Sequence, residues 1–113
     1  MNKITNEEIA EKVFGMIKDS ANRWCDPWGN FGYLPNYLGS SILVESTIQR
    51  INSIGLSINF SENICCCGNK ITDVKLYYTK EHTLIVTTSN RDFKLALYEA
   101  IMVYCNNYSQ RHI

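Results

Sequence analysis

The spacing of apolar residues changes period several times along the chain, and each change marks an element. From Thr5 to Lys18, Ile9, Val13, Phe14 and Ile17 recur at helical spacing. Thr5 and Glu8 stand at capping-box distance, Glu7 and Glu8 suit the positive end of a helix, and Lys18 suits the other end. A second helix is predicted from a Ser40 or Ser41 cap to about Ile54. Its stripe is Val44, Ile48 and Ile51, widened by Leu43 and Ile54, and Gly55 is its stop. The period then drops to two. Leu56, Ile58 and Phe60 share one face of a strand, Ile71 to Thr79 forms the next, and Thr83 to Thr88 the last, with Leu84 and Val86 opposed to Ile85. Gly68-Asn69 and Lys80-Glu81-His82 are turns, and connections this short make the strands antiparallel. Ser89 and Asp92 repeat the capping pattern before a third helix. That helix runs from Arg91 to about Asn107, with Phe93, Leu97, Ala100, Ile101 and Tyr104 as its stripe. Residues 108–113 are expected to fray.

The predicted fold is therefore α+β, one domain over residues 1–113, with three helices and a small antiparallel sheet of three to four strands. Helices on both faces of the sheet, a three-layer α/β/α sandwich, would bury all three stripes. Packing every helix on one face is the alternative. The chain's 113 residues suffice for one core without a metal or disulfide staple.

Residues 19–39 follow neither period. Pro27 and Pro35 exclude a continuous helix, and Trp24, Trp28, Phe31, Tyr33 and Tyr37 are too many rings for a disordered linker. An ordered loop packed by its own side chains is expected. Aromatic rings interleaved with Arg23, Asp26, Asn30 and Asn36 suit a flat ligand with hydrogen-bonding edges, or a protein hot spot. The competing reading is a small secondary core, because large rings supply packing first.

Composition narrows the chemistry. Eleven Lys and Arg balance eleven Asp and Glu, which argues against DNA or RNA as partner, since phosphate backbones select a basic excess. No apolar run reaches the about 18 residues of a membrane span, and no signal peptide is expected. An odd set of five cysteines, Cys25, Cys65, Cys66, Cys67 and Cys105, three of them adjacent, points to a reducing cytoplasm. The triplet lacks the two-to-four-residue spacing of zinc pairs, so no metal or cofactor is expected. On a strand, Cys65 and Cys67 would face one side and Cys66 the other. Phosphate-cradling loops, H-E-x-x-H, G-x-S-x-G and EF-hand patterns are missing, and His82 reads as a turn residue. An enzyme is not expected.

Three stretches resemble the phage ABA-sandwich family, small proteins of bacteriophages and prophages. Ile9-Ala-Glu-Lys-Val-Phe-Gly15 is similar to the family's opening I-A-E-K-V-M-G. Leu34-Pro-Asn-Tyr-Leu-Gly-Ser-Ser-Ile42 keeps the Pro and Tyr of P-x-Y-S-T-D-I but replaces its Asp cap, and Ala96-Leu-Tyr-Glu-Ala-Ile-Met-Val-Tyr104 is similar to its alanine-rich last helix. The resemblance implies the α/β/α fold and a phage protein in bacterial cytoplasm, and it transfers no active site. The expectation that follows is a non-enzymatic counter-defence protein sequestering a nucleotide-derived immune signal. Trp24, Trp28 and Tyr37 would stack on it, Asn36 and Asp26 would bond its edges, and Arg91 at the third helix's start would hold its phosphate. Alternatives are a protein-binding inhibitor of a host defence complex such as a CRISPR effector, and a minor virion or assembly protein. A homodimer would cover exposed strand edges.

Overall fold

The computed structural model describes residues 4–26 and 31–107. The elements run α1 (Asn6–Lys12), β1 (Ile17–Lys18), β2 (Trp24–Cys25), β3 (Phe31–Gly32), α2 (Ile42–Ser53), β4 (Leu56–Ile64), β5 (Lys70–Tyr78), β6 (Thr83–Asn90) and α3 (Phe93–Asn107). This is an α+β fold with three helices, as the apolar pattern predicts. The strands β4, β5 and β6 make an antiparallel meander, and the two-residue strands β1, β2 and β3 form a second, minor sheet.

The first helix begins as predicted, with the Glu8 amide donating to Thr5 Oγ1 at 3.2 Å. It ends at Lys12 instead of Lys18. Gly15 adopts φ +67°, and the Met16 N–H reaches back to the Ala10 carbonyl at 3.0 Å. This closure around a left-handed glycine stops the helix. The released Ile17 and Lys18 pair with Cys25 and Trp24, so the predicted loop is partly a sheet. Asp19 organises the first turn of that sheet. Its Oδ1 accepts from the Ala21 and Arg23 amides at 2.9 and 2.8 Å, and its Oδ2 meets Arg23 Nε at 3.1 Å. The Arg23 amide above all, with Ala21 and the guanidinium, holds the Asp19 carboxyl below its usual range.

The second helix stops before Gly55, at φ +92°, as expected. Two of its residues are fully buried, Ile51 and, one turn before it, the polar Thr47. The Thr47 hydroxyl is satisfied by the Leu43 carbonyl at 2.8 Å and the Tyr98 hydroxyl at 3.0 Å.

In the meander, Leu56, Ile58 and Phe60 stand opposite Tyr78, Leu76 and Val74, and Leu76 and Val74 stand opposite Val86 and Thr88. All belong to one face. A bulge between Leu76 and Tyr77 inserts an extra residue into β6, so Leu84 pairs with Tyr77. The register slip turns Leu84 to the other face, where it is 50% exposed. Leu84 and Val86, predicted to share a face opposed to Ile85, are therefore separated at the bulge.

Of the two placements open to the helices, they gather on one side of the sheet. Helix α3 packs on β5 and β6, and α2 on β4. Thr88 Oγ1 donates to the Ala96 carbonyl at 2.6 Å, and the Thr47–Tyr98 bond joins α2 to α3. Helix α1 is tied to both by Arg50 Nε on the Val13 carbonyl, 2.9 Å, and Lys12 Nζ on Asn106 Oδ1, 2.6 Å. The opposite face carries Ser57, Asn59, Ser61, Asp73, Lys75, Tyr77, Thr87 and Ser89, none of them buried. Asp73 there accepts from Asn63 and Ser89. Polar residues at alternate strand positions explain why, among the described residues, no helix covers this face.

The third helix starts at Phe93, two residues later than predicted. Its cap is Asp92, whose carbonyl accepts from the Ala96 amide at 3.0 Å and whose Oδ1 accepts from Lys94 at 2.9 Å. Ser89 belongs to β6. Ala96, Leu97, Ala100, Ile101 and Tyr104 are buried, whereas Phe93, in the predicted stripe, is 38% exposed. The predicted frayed end, residues 108–113, lies outside the described residues.

Candidate functional site

The rings expected to form a ligand platform are mostly structural. Trp24 is 5% exposed and Tyr37 3%. The Tyr37 ring stacks on Phe14 with centroids 4.9 Å apart and meets Tyr98 edge-on at 6.4 Å. Its hydroxyl donates to Met16 Sδ at 3.6 Å, and burial pushes its pKa up to about 12. Asn36 is occupied locally, accepting from Asn6 Nδ2 at 3.1 Å and from the Gly39 amide at 3.2 Å. Asn6 Oδ1 in turn accepts from the Leu38 amide at 3.0 Å, so this pair clamps the chain before α2 onto α1. Asp26 is half-buried beside Cys25, and Trp28 lies outside the described residues. Trp24 borders a shallow depression of about 510 Å³ with Arg23, Tyr33 and Leu34. Packing thus accounts for Trp24 and Tyr37, and a turn motif for Asn36.

Arg91 is placed elsewhere, at the opposite end of the meander from the β5–β6 turn. Because α3 begins only at Phe93, the far ends of β4 and β5 extend beyond helical cover. Phe60, 39% exposed, and Phe93 flank a concavity of about 370 Å³ there, with Ser61, Glu62, Lys70, Thr72 and Arg91. Lys70 Nζ stands 3.7 Å from Glu62 Oε2, an exposed pair of little energetic weight. Lys94 Nζ lies 5.1 Å over the Phe93 ring centroid and 3.9 Å from Asp92 Oδ1. Two phenyl rings, a guanidinium, an ammonium paired with a carboxylate, and two hydroxyls line one hollow, a set that suits a flat anionic ligand. Sequence reasoning names Arg91 as a candidate and assigns Phe60 and Phe93 to apolar stripes, yet both rings are more than a third exposed.

A larger groove, about 720 Å³, runs between α1 and α3. Ile4, Leu38, Leu95, Met102 and Val103 give it an apolar floor, and Glu8, Lys12, Asn90, Glu99 and Asn106 a polar rim. Four rim groups are engaged, in two pairs: Lys12 with Asn106, and Glu99 with Asn90 Nδ2 at 2.9 Å.

The cysteine triplet forms the tip of the β4–β5 hairpin instead of a strand. The Cys65 amide donates to the Asn69 carbonyl at 2.9 Å, and the Gly68 amide closes on the Cys65 carbonyl at 2.8 Å. Cys65 is half-buried, and Cys66 and Cys67 are exposed. The Asn69 backbone and the Cys67 thiol lower the Cys65 pKa, while Cys67 is raised by sharing its hydrogen bonds with Cys65 and Cys66. Burial raises Cys105 on α3. Among the described residues, no three His, Cys, Asp or Glu side chains are grouped as a metal site would require, and no helix is long and apolar enough to cross a membrane. His82 occupies its predicted turn, at φ +55°. No family model, no curated protein and no solved structure matches the chain.

Proposed function

We propose that this protein is a non-enzymatic binder of a small, nucleotide-derived anion, held at the Arg91 end of the meander. The observation that carries the reading is the juxtaposition of Phe60 and Phe93 with Arg91 and Lys70 around one concavity. A base stacks on a phenyl face, and a guanidinium grips phosphate oxygens in a fork. Set beside the resemblance to phage ABA-sandwich proteins, this reading makes the protein a counter-defence sponge for an immune signal in the cytoplasm of an infected bacterium.

The test is calorimetric titration with cyclic and ADP-ribose-type nucleotides. At least one should bind, and Arg91→Ala should weaken it about tenfold to a hundredfold, the worth of a charged hydrogen bond. Phe93→Ala should weaken it as well. Binding to no member of the panel, or binding indifferent to both substitutions, overturns the reading. The α1–α3 groove favours a second reading, a host protein segment with an apolar and basic face, because Glu8 and Glu99 rim an apolar floor. A partner lost on Val103→Glu and retained by Arg91→Ala would establish that reading in place of the first.

A further inference from the structure

We propose that Cys65 and Cys67 form a thiol–disulfide exchange site at the tip of the β4–β5 hairpin, cycling between a dithiol and an intramolecular disulfide. The two residues belong to one closed turn, pinned by the Cys65–Asn69 and Gly68–Cys65 backbone bonds at 2.9 and 2.8 Å. No part of the triplet is fully buried, so a small reagent reaches it directly.

Spacing selects the pair. Consecutive Cα atoms lie about 3.8 Å apart, shorter than the about 4.4–6.8 Å that disulfides span, so neither Cys65–Cys66 nor Cys66–Cys67 is a suitable bridge. Residues two apart escape that limit. The roles also separate. The Asn69 backbone and the Cys67 thiol stabilise negative charge on Cys65, making it the attacking sulfur, while Cys67 keeps its proton and resolves.

The reaction partner is a low-molecular-weight disulfide, R–S–S–R. The Cys65 thiolate attacks one sulfur, an S–S bond forms between Cys65 and that half, and the other half leaves as thiolate and takes up a proton. Cys67 then loses its proton to solvent and attacks the Cys65 sulfur. The Cys65–Cys67 bond forms, and the second half leaves as thiolate. The protein has lost two electrons and two protons, and the small disulfide has become two thiols.

Oxidised glutathione is the probe, and intact mass with peptide mapping is the readout on the whole chain. Wild type should lose two hydrogen atoms, retain no adduct and map a Cys65–Cys67 bridge. Cys67→Ser should stop at a glutathione adduct on Cys65. Cys66→Ser should behave as wild type, and Cys65→Ser should consume the probe severalfold more slowly. Thermal melts of the variants verify that the fold is kept, as expected for an exposed turn. A wild-type protein that remains fully reduced, keeps its adduct or bridges another pair overturns the proposal, as does a Cys67→Ser protein that forms no adduct on Cys65.

Discussion

Tyr37 is 3% exposed, and its neighbours set the chemistry of its hydroxyl. A tyrosine in a polar, aromatic loop reads as a ligand contact, but the ring is sandwiched with Phe14 and its hydroxyl faces Met16 sulfur. Its ionisation is raised from about 10 to about 12 because the phenolate would be desolvated. A group whose folded pKa is raised stabilises fully below its unfolded value, so this contribution is lost as pH climbs from 10 through 12. Ultraviolet titration should show one tyrosine ionising near the top of that range, and Tyr37→Phe should remove it. Since the hydroxyl makes only a weak bond to sulfur, the same substitution should cost under about 1 kcal/mol at neutral pH. Thr47 and Tyr98 make the contrasting case. Tyr98→Phe leaves Thr47 bonded to the Leu43 carbonyl, whereas Thr47→Val leaves a buried phenol without that partner. Urea denaturation should therefore find Thr47→Val the costlier of the two, by about 1–3 kcal/mol against about 0.5–1.5.

At the scale of elements, the legible features were those written in local periods and caps. The Thr5 cap, the Gly55 stop and the antiparallel hairpins follow from side chains acting on their own backbone within a turn or two. The end of α1 was equally local, yet the apolar Ile17 continued the helical stripe past Gly15 and masked the stop. Gly15→Ala should cost about 1 kcal/mol, because an L side chain resists the left-handed conformation that the closure needs. A thermal melt reads that loss. The bulge beside Tyr77 was illegible for a different reason. It is a property of two strands together, and no residue in β6 alone announces it. Its signature is energetic: Leu84→Thr should be nearly neutral in urea denaturation, while Leu76→Ala, fully buried one register step away, should cost about 2–5 kcal/mol.

For the whole molecule, the class was legible and the layering was not. Three amphipathic helices state that a sheet face must be covered, but the choice between one face and two rests on β5 and its neighbours. Asp73 and Lys75 against Val74 and Leu76 already mark one wet and one dry side of β5. The candidate site shows the same limit. Arg91 was visible as a cation at a helix start, but its ring partners were defined only by where α3 begins relative to β4, a tertiary fact.

The ties that hold α1 in place have a kinetic consequence. The meander and its helices close through neighbours in sequence, but Lys12 meets Asn106 across ninety-four positions of chain, and Arg50 reaches back thirty-seven to Val13. Bonds that span so much chain repay their closure entropy only after the rest has formed. The amino-terminal third should therefore dock last in folding and detach first as a cooperative unit. Amide hydrogens of α1 and the minor sheet should exchange through that partial opening, while those of β5, bonded on both sides, should await global unfolding.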